Sequence, residues 1–482
     1  MIECKRLVLS KKHLYFILVL NITFLNILTC FDKTSATIVV LFEVIILIWE
    51  IIKNDYSSYS RIYMAIMIAS MEFGVQGATV YSFKETRIAG LNLGIWMGLP
   101  ILLKAISQIG KSRYFINNYC YLRKYFRAFT ILACVGIIMG AFTLVINDNN
   151  VWKIGSLFYN YLGEILSAVV YPLICIACVL NCSDDLDLLR DSLRTIMFSF
   201  CLSFIFSFVV GTRSYYGGVE TLLVNNSAAE FTPLFILLLF DETINPFTII
   251  IYLVAVILQV FYNAGGKTLL ILGFTVFFLI IRLVVKKRIK TLLFISSVGI
   301  LAVVLLFTRV SSLFDASVMF QSKSAQVFDL LNVFKYNLST MSFSPRHRIV
   351  EFLNILEGYK RKPYFAIWGK GYMGTIKDYL GLFIYRPTGV FDENQWTSDC
   401  FYNVHETLNV MFLQSGFIGL YFYIVALIDY VKNFKKSYWF IIGGIWFLLF
   451  YQYSATIILF GCPCLILGLV ELSENANCKK FS

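Results

Sequence analysis

The sequence predicts an all-α polytopic membrane protein, with about 12–14 transmembrane helices and one large outer loop between late helices. Hydrophobic residues make up 59% of the 482 residues and charged residues only 15%, a composition that excludes an ordinary soluble protein. Apolar runs close to the ~20 residues that cross a bilayer recur along the whole chain. One long polar segment, from Arg309 to Glu406, interrupts them.

The apolar runs, taken in order, define the predicted spans. The first run, from His13 to Phe31, lacks a small-residue cleavage site and is followed at once by a second run, so we interpret it as a retained helix. The run from Phe231 to Phe240 is short for a span; it can cross if Ala228 and Ala229 belong to it, and a tilted or re-entrant element is the alternative. The predicted spans lie near residues 13–31, 36–52, 62–83, 88–106, 126–146, 157–181, 193–211, 228–240, 246–262, 268–285, 291–307, 405–428, 438–452 and 454–470.

The distribution of basic residues predicts the orientation of these spans. The formal net charge is +12, and Lys and Arg concentrate in alternate connecting segments, which is the positive-inside pattern and not a nucleic-acid surface. The basic cluster at 286–290 is a cytoplasmic anchor, so the polar segment that follows the next span lies outside. The chain thus divides into spans at 1–307, an outer loop at 308–404, and the last spans with a cytoplasmic tail at 405–482, with both termini cytoplasmic.

Within the outer loop, Arg348 to Tyr359 has the pattern of an amphipathic helix, with apolar side chains on one face at Ile349, Phe352, Leu353 and Leu356. Pro363 and the glycines that follow end it. Aromatic residues of the loop either stack on sugar rings or pack a core; they are Tyr372, Tyr385, Trp396 and Tyr402.

Metal, thiol and nucleotide sites are not indicated by the sequence. The chain has twelve cysteines, but Cys175, Cys178 and Cys182 lie within an apolar span without a nearby histidine or acid, so we interpret them as apolar filler. Gly265-Gly266-Lys267-Thr268 resembles the end of a phosphate-binding loop, yet Phe261 stands where that loop requires glycine. We therefore expect no metal and no cofactor.

Two acidic residues fall within predicted spans. Glu72 and Glu164 lie in hydrocarbon by the span boundaries above. Intramembrane carboxylates are costly, and they belong either to an ion or proton path or to paired structural sites. Acidic residues do not recur on the neighbouring helices, so we favour the structural interpretation.

Basic residues at outer ends of the spans form a candidate substrate site, together with one histidine. Arginine and lysine side chains bind phosphate oxygens, and several of them beside a bilayer suit a diphosphate. A histidine at a helix start, followed by a glutamate, can accept a proton from an attacking hydroxyl or orient it. The alternative is that such residues only anchor helices at the interface. The predicted diphosphate-binding residues are Arg213, Lys267, Arg346 and Arg348, and the predicted catalytic residues are His405 and Glu406.

Motifs between residues 346 and 420 carry a family resemblance. An arginine opens the segment, Trp368-Gly369-Lys370-Gly371 forms a hydrophobic-Gly-x-Gly turn, and His405-Glu406 starts a span that contains Gly416-Phe417-Ile418-Gly419-Leu420. This region resembles the signature of the O-antigen ligase and Wzy-type polysaccharide polymerase superfamily. Two positions depart from it: Glu406 stands where the family usually has asparagine, and Lys267 where a Ser-Arg pair is common.

The resemblance implies a bacterial inner-membrane glycosyltransferase that joins undecaprenyl-diphosphate-linked oligosaccharide repeat units into O-antigen or capsular polysaccharide, without a metal, on the outer face. A flippase and a chain-length regulator are the implied protein partners. The ligase of the same superfamily, which transfers glycan to a lipid A core, shares the motif and stays an alternative. A polysaccharide flippase or other transporter, and a non-catalytic component of an envelope assembly complex, are further alternatives.

Overall fold

The computed structural model of the chain is predominantly helical. It describes residues 11–72, 81–146, 155–210, 213–216, 219–222, 227–239, 246–262, 266–285, 341–372, 374–384, 393–402 and 404–478, and residues 287, 293, 297, 338 and 391. The strands among these residues form two short antiparallel hairpins, β1 (Arg87–Ile88) with β2 (Leu91–Asn92) and β3 (Arg213–Tyr216) with β4 (Val219–Leu222).

The helices follow the predicted apolar runs closely in most of the chain, and a short 3-10 helix (Ser227–Phe231) precedes α9. They are α1 (Lys11–Leu28), α2 (Lys33–Ile52), α3 (Tyr56–Ala69), α4 (Leu93–Ser107), α5 (Ile109–Asn118), α6 (Cys120–Val145), α7 (Gly155–Asn181), α8 (Leu186–Val210), α9 (Thr232–Leu239), α10 (Pro246–Tyr262), α11 (Gly266–Val285), α12 (Phe343–Arg361), α13 (Tyr364–Trp368), α14 (Glu393–Ser398), α15 (Thr407–Asn433), α16 (Tyr438–Phe450) and α17 (Ala455–Cys478).

The apolar helices indicate a multi-pass membrane protein, as predicted. Within the described residues, 5 helices are long and apolar enough to cross a membrane, or up to 6 if α4 and α5 together form one bent span. Shorter apolar helices accompany them in α1, α7, α10, α11 and α16. The total of 12–14 spans stays a prediction, and the predicted span 291–307 lies largely outside the described residues.

One compact unit consists of residues 1–104 and 177–259. Its helices start at residues that satisfy free backbone amides, since Asp32 accepts from the Ser35 amide and Asp55 from the Ser58 amide. Glu43 in α2 is fully buried and accepts a hydrogen bond from Nδ2 of Asn26 at 2.7 Å. This acid therefore has a polar partner inside the unit.

The predicted span 62–83 is not one continuous helix, because α3 ends at Ala69; residues 73–80 of that span lie outside the described residues. Glu72 lies beyond the helix, where its carboxylate pairs with the ammonium of Lys84 at 2.5 Å and both side chains are largely buried. Lys84 follows the apolar run and neutralises the acid, so the paired interpretation of Glu72 holds in this structure. The side chain of Glu164 lies outside the described residues.

The second compact unit consists of residues 105–176 and 260–482. Its closest helix pair is α16 and α17, where glycines allow the two backbones to approach each other. A Cβ atom on Gly443 would overlap the backbone of Leu465, and one on Gly468 would overlap the backbone of Phe440. The unit also contains α6, α12 and α15, which support the candidate site.

The helix predicted from Arg348 to Tyr359 forms within α12, but its most buried face differs from the predicted one. Ile349, Phe352, Leu353 and Leu356 are only partly buried in α12. The fully buried positions include Val350, Ile355 and Tyr359 together with the polar Glu351 and Asn354. A hydrophobicity pattern misses this face because two of its residues are polar.

Candidate functional site

The Gly-x-Gly turn, residues 369–371, connects the polar segment to two helices of its unit. The amide of Lys370 donates to the carbonyl of Leu413 at 2.7 Å, and the amide of Gly371 donates to the carbonyl of Gln414 at 2.9 Å, both in α15. On the other side, the hydroxyl of Thr143 in α6 donates to the carbonyl of Lys370 at 2.7 Å. The turn therefore sets the position of α12 and α13 relative to α6 and α15.

Helix α15 is broken where this turn meets it. Gly416 has φ +57° and ψ −144° within the helix, a conformation that only glycine adopts readily. A Cβ atom there would lie 2.5 Å from the carbonyl oxygen of Ala366 and 2.6 Å from the amide nitrogen of Gly369. The glycines of the two motifs therefore pack against each other. This contact explains why the sequence contains both motifs.

His405 lies immediately before α15 and is held by a carboxylate from α12. Its Nδ1 lies 2.7 Å from Oε1 of Glu351, and its backbone amide donates to Oε2 of the same residue at 3.2 Å. Nδ2 of Asn409 donates to Oε2 at 3.1 Å and to the carbonyl of Arg348 at 2.9 Å. Both carboxylate oxygens are therefore occupied, and the position of His405 is fixed at the backbone and at the ring.

The Glu351 carboxylate is fully buried, yet the two histidines beside it favour its ionised form. Burial raises the pKa of Glu351, but the two histidines beside it outweigh burial and lower the pKa to about 2. Because an ionised carboxylate can only accept, Nδ1 of His405 donates to Oε1, and in the neutral ring Nε2 is then the acceptor. This tautomer is the one that a general base requires.

His347 contacts the same carboxylate from one helical turn earlier. Its Nε2 lies 3.3 Å from Oε1 of Glu351, off the direction of a hydrogen bond, and has no hydrogen-bond partner among the described residues. The ring is 5% exposed and packs among the rings of Phe343, Phe383 and Phe391, with centroid distances between 4.8 and 5.6 Å. The aromatic side chains hold this histidine toward Glu351.

Glu406 connects two of the predicted cations. Its Oε1 lies 2.5 Å from Nε of Arg348, and its Oε2 lies 3.7 Å from Nζ of Lys267. It precedes the first residue of α15 but makes no side-chain hydrogen bond that caps the helix. Arg348 and Glu406 are each about a quarter exposed, so this ion pair is accessible from solvent.

The structure brings four of the six predicted site residues together: His405, Glu406, Lys267 and Arg348. The acid that contacts the ring of His405 is Glu351, whereas Glu406 contacts the two cations. The ammonium of Lys267 also donates to the carbonyl of Leu449 at 2.9 Å and lies over the rings of Phe450 and Tyr453, which supports the helix-anchor alternative as well.

The other two predicted site residues are Arg346 and Arg213. Nε of Arg346 is buried without a hydrogen-bond partner within the described part of the chain. Arg213 lies in strand β3 of the other unit, and its side chain is outside the described residues. Both stay predictions.

Three of the four aromatic residues singled out in the loop lie in the described part of the chain. Tyr372 is buried against Gly136, and Trp396 packs on Phe383, Phe391 and Phe401, so the core-packing interpretation applies to both. Tyr402 is partly buried, and Tyr385 lies outside the described residues.

Three residues of the site were missed from the sequence: Glu351, His347 and Asn409. A signal for the first two was present, because an i, i+4 spacing places His347 and Glu351 on one face of the predicted helix. Nothing in the sequence pairs them with His405, which is 54 positions after Glu351. Together, His347, Glu351 and His405 present one ligand atom each, all within 4.8 Å of one another, and could hold a metal ion.

No protein-family model matches the sequence, and neither a curated protein nor a solved structure matches the chain. The resemblance to the polymerase and ligase superfamily rests on the motif residues alone. Support for a function comes from the geometry of those residues.

Proposed function

We propose that the protein is an inner-membrane glycosyltransferase that joins undecaprenyl-diphosphate-linked oligosaccharide repeat units on the outer face. The observation that carries the proposal is the His405–Glu351 hydrogen bond, which lies close to Arg348 and Lys267 through the neighbouring Glu406. A base held by a buried carboxylate and flanked by cations suits glycosyl transfer from a diphosphate donor.

In the proposed reaction, Nε2 of His405 accepts the proton of an acceptor hydroxyl. The hydroxyl oxygen forms the new bond to the anomeric carbon of the donor, and the bond from that carbon to the diphosphate breaks. Glu351 stabilises the positive charge that the His405 ring acquires and keeps the ring in the productive tautomer. His405 then returns the proton to solvent.

The leaving diphosphate needs cations, and Arg348 and Lys267 supply them together with Arg346. Because Glu406 pairs with Arg348 and Lys267 before substrate binds, the diphosphate exchanges with that carboxylate for the two cations. Guanidinium groups offer two parallel donors to phosphate oxygens, which favours the exchange at Arg348.

Chain-length analysis in a strain that lacks the native gene tests the proposal. We expect His405→Ala and Arg348→Ala, each alone, to leave single-repeat glycan on the lipid core, because a single unpolymerised unit can still be transferred. His13→Ala and Arg361→Ala are matched controls, since His13 lies in the other unit and Arg361 at the exposed end of α12, and both should give the wild-type ladder.

Two outcomes would contradict the assignment. Loss of all attached repeats in His405→Ala would indicate the ligase activity in place of the polymerase. A wild-type ladder in both variants, with the protein present in the membrane, would show that these residues do not form the site.

A further inference from the structure

His347 transfers no proton and binds no substrate in the proposed reaction, although its position is closely determined. Its Nε2 is buried, has no hydrogen-bond partner within the described residues and lies 3.3 Å from Oε1 of Glu351. On the other side of that oxygen, Nδ1 of His405 lies at 2.7 Å. Two imidazole nitrogens thus converge on a single carboxylate oxygen.

We propose that His347, Glu351 and His405 form a binding site for a divalent transition-metal ion, of which Zn²⁺ is the best fit, and that the bound ion inhibits the enzyme. Two imidazoles and one carboxylate are a common ligand set for zinc, with the ion about 2.0–2.2 Å from each ligand atom. The three ligand atoms lie within 4.8 Å of one another, and Nε2 of His347 is already 3.3 Å from Oε1, so a small movement of the His405 ring away from that oxygen admits the ion.

The surroundings of Glu351 orient its carboxylate for this purpose. Its Oε2 accepts from the His405 amide and from Nδ2 of Asn409, and these bonds leave Oε1 for the ion. Such hydrogen bonds to the second oxygen are what fixes a ligating carboxylate in known metal sites. The aromatic rings around His347 exclude water from its nitrogen and keep the ring in place.

The charge and hardness of the ligands favour zinc over magnesium or calcium. Magnesium and calcium prefer oxygen ligands, whereas imidazole nitrogen suits zinc. One carboxylate with two neutral imidazoles leaves the complex with a single positive charge, and three protein ligands leave a fourth position for water or a phosphate oxygen.

The inhibitory effect follows from the tautomer of His405 and rests on the proposed function. The ion replaces the proton on Nδ1, and a neutral imidazole then carries its proton on Nε2. The nitrogen that would accept the acceptor hydroxyl's proton is therefore no longer available. Zinc binding and general-base action exclude each other at this ring.

Zinc binding to the purified full-length chain in detergent tests the site without any activity assay. The chain carries an affinity tag without histidine, is stripped with a chelator and is then titrated with Zn²⁺ and with Co²⁺. We expect wild type and His13→Gln each to retain one zinc ion, and His347→Gln to retain none. His13→Gln is the matched control because the chain has 3 histidines and His13 lies in the other unit.

The ligands are identified on the wild-type chain, so the test does not depend on folding of a variant. X-ray absorption at the zinc edge should show two imidazoles and no sulfur, and the cobalt form should lack thiolate-to-metal charge-transfer absorption. A sulfur ligand would assign the ion to cysteines and overturn the site, as would equal zinc retention by His347→Gln.

Inhibition is measured separately, as the ratio of polymerising activity with and without zinc for each protein. We expect zinc to abolish most wild-type activity and a chelator to restore it. His347-dependent zinc binding that leaves the activity unchanged overturns the inhibitory role but not the site. A chain without polymerising activity overturns the proposed function, and the zinc titration still decides the metal site.

Discussion

Replacing Glu351 with glutamine should lower the rate of glycosyl transfer by about 10²–10⁴-fold, the usual contribution of a general base. Glutamine presents an amide hydrogen to Nδ1 of His405, where the carboxylate accepts a hydrogen bond at 2.7 Å. The ring then places its proton on Nε2 and cannot act as a base. The initial rate of repeat-unit joining by the purified variant measures this effect.

The matched control is Glu357→Gln, which makes the same change two turns later in α12. Glu357 pairs only with the exposed Lys360 and Arg361 in the described structure, so we expect wild-type activity and a stability within ~0.5 kcal/mol of wild type. Glu351→Gln should lose ~1–3 kcal/mol through its weaker hydrogen bonds and stay folded. Wild-type activity in folded Glu351→Gln would contradict the role of this carboxylate.

Replacing Gly371 with alanine should strongly destabilise the second unit. Gly371 has φ +71°, which costs an L-residue ~1–2 kcal/mol. A Cβ atom would also overlap the backbone nitrogen of Gly140 and lie 2.5 Å from the carbonyl oxygen of Gly136, and overpacking adds ~1–3 kcal/mol. Their sum is a large part of the ~5–15 kcal/mol that stabilises a typical domain.

Gly381→Ala separates the two contributions. Gly381 has φ +63°, but a Cβ atom there meets nothing within 4 Å, so only the backbone cost of ~1–2 kcal/mol applies. Thermal unfolding of the detergent-solubilised variants compares them. Equal melting temperatures for Gly371→Ala and Gly381→Ala would show that contact with α6 does not hold the turn.

Much of the fold was predictable because helix boundaries in this chain follow local hydrophobicity and capping. The span at 246–262 matches α10, and the span at 438–452 matches α16 to within two residues at its end. The span at 62–83 differs because α3 ends at Ala69, and Glu72 beyond its end forms a buried ion pair with Lys84. A pairing between residues 12 positions apart cannot be recognised from apolar periodicity.

The candidate site was only half predictable, for a related reason. Motifs and charge identified His405, Arg348 and Lys267, because these residue types are unusual at span ends. The partner of His405 is a glutamate on the buried face of α12, and hydrophobic patterning assigned that face to other residues. The contact forms because the Gly-x-Gly turn fixes α12 against α15, which is a tertiary effect.

The most direct test of the central claim uses purified protein in liposomes with an undecaprenyl-diphosphate-linked repeat unit, and counts repeats by mass spectrometry. We expect wild type to yield products of two or more repeats and to release undecaprenyl diphosphate, whereas folded His405→Gln yields none. Polymerisation by folded His405→Gln at the wild-type rate would contradict the claim.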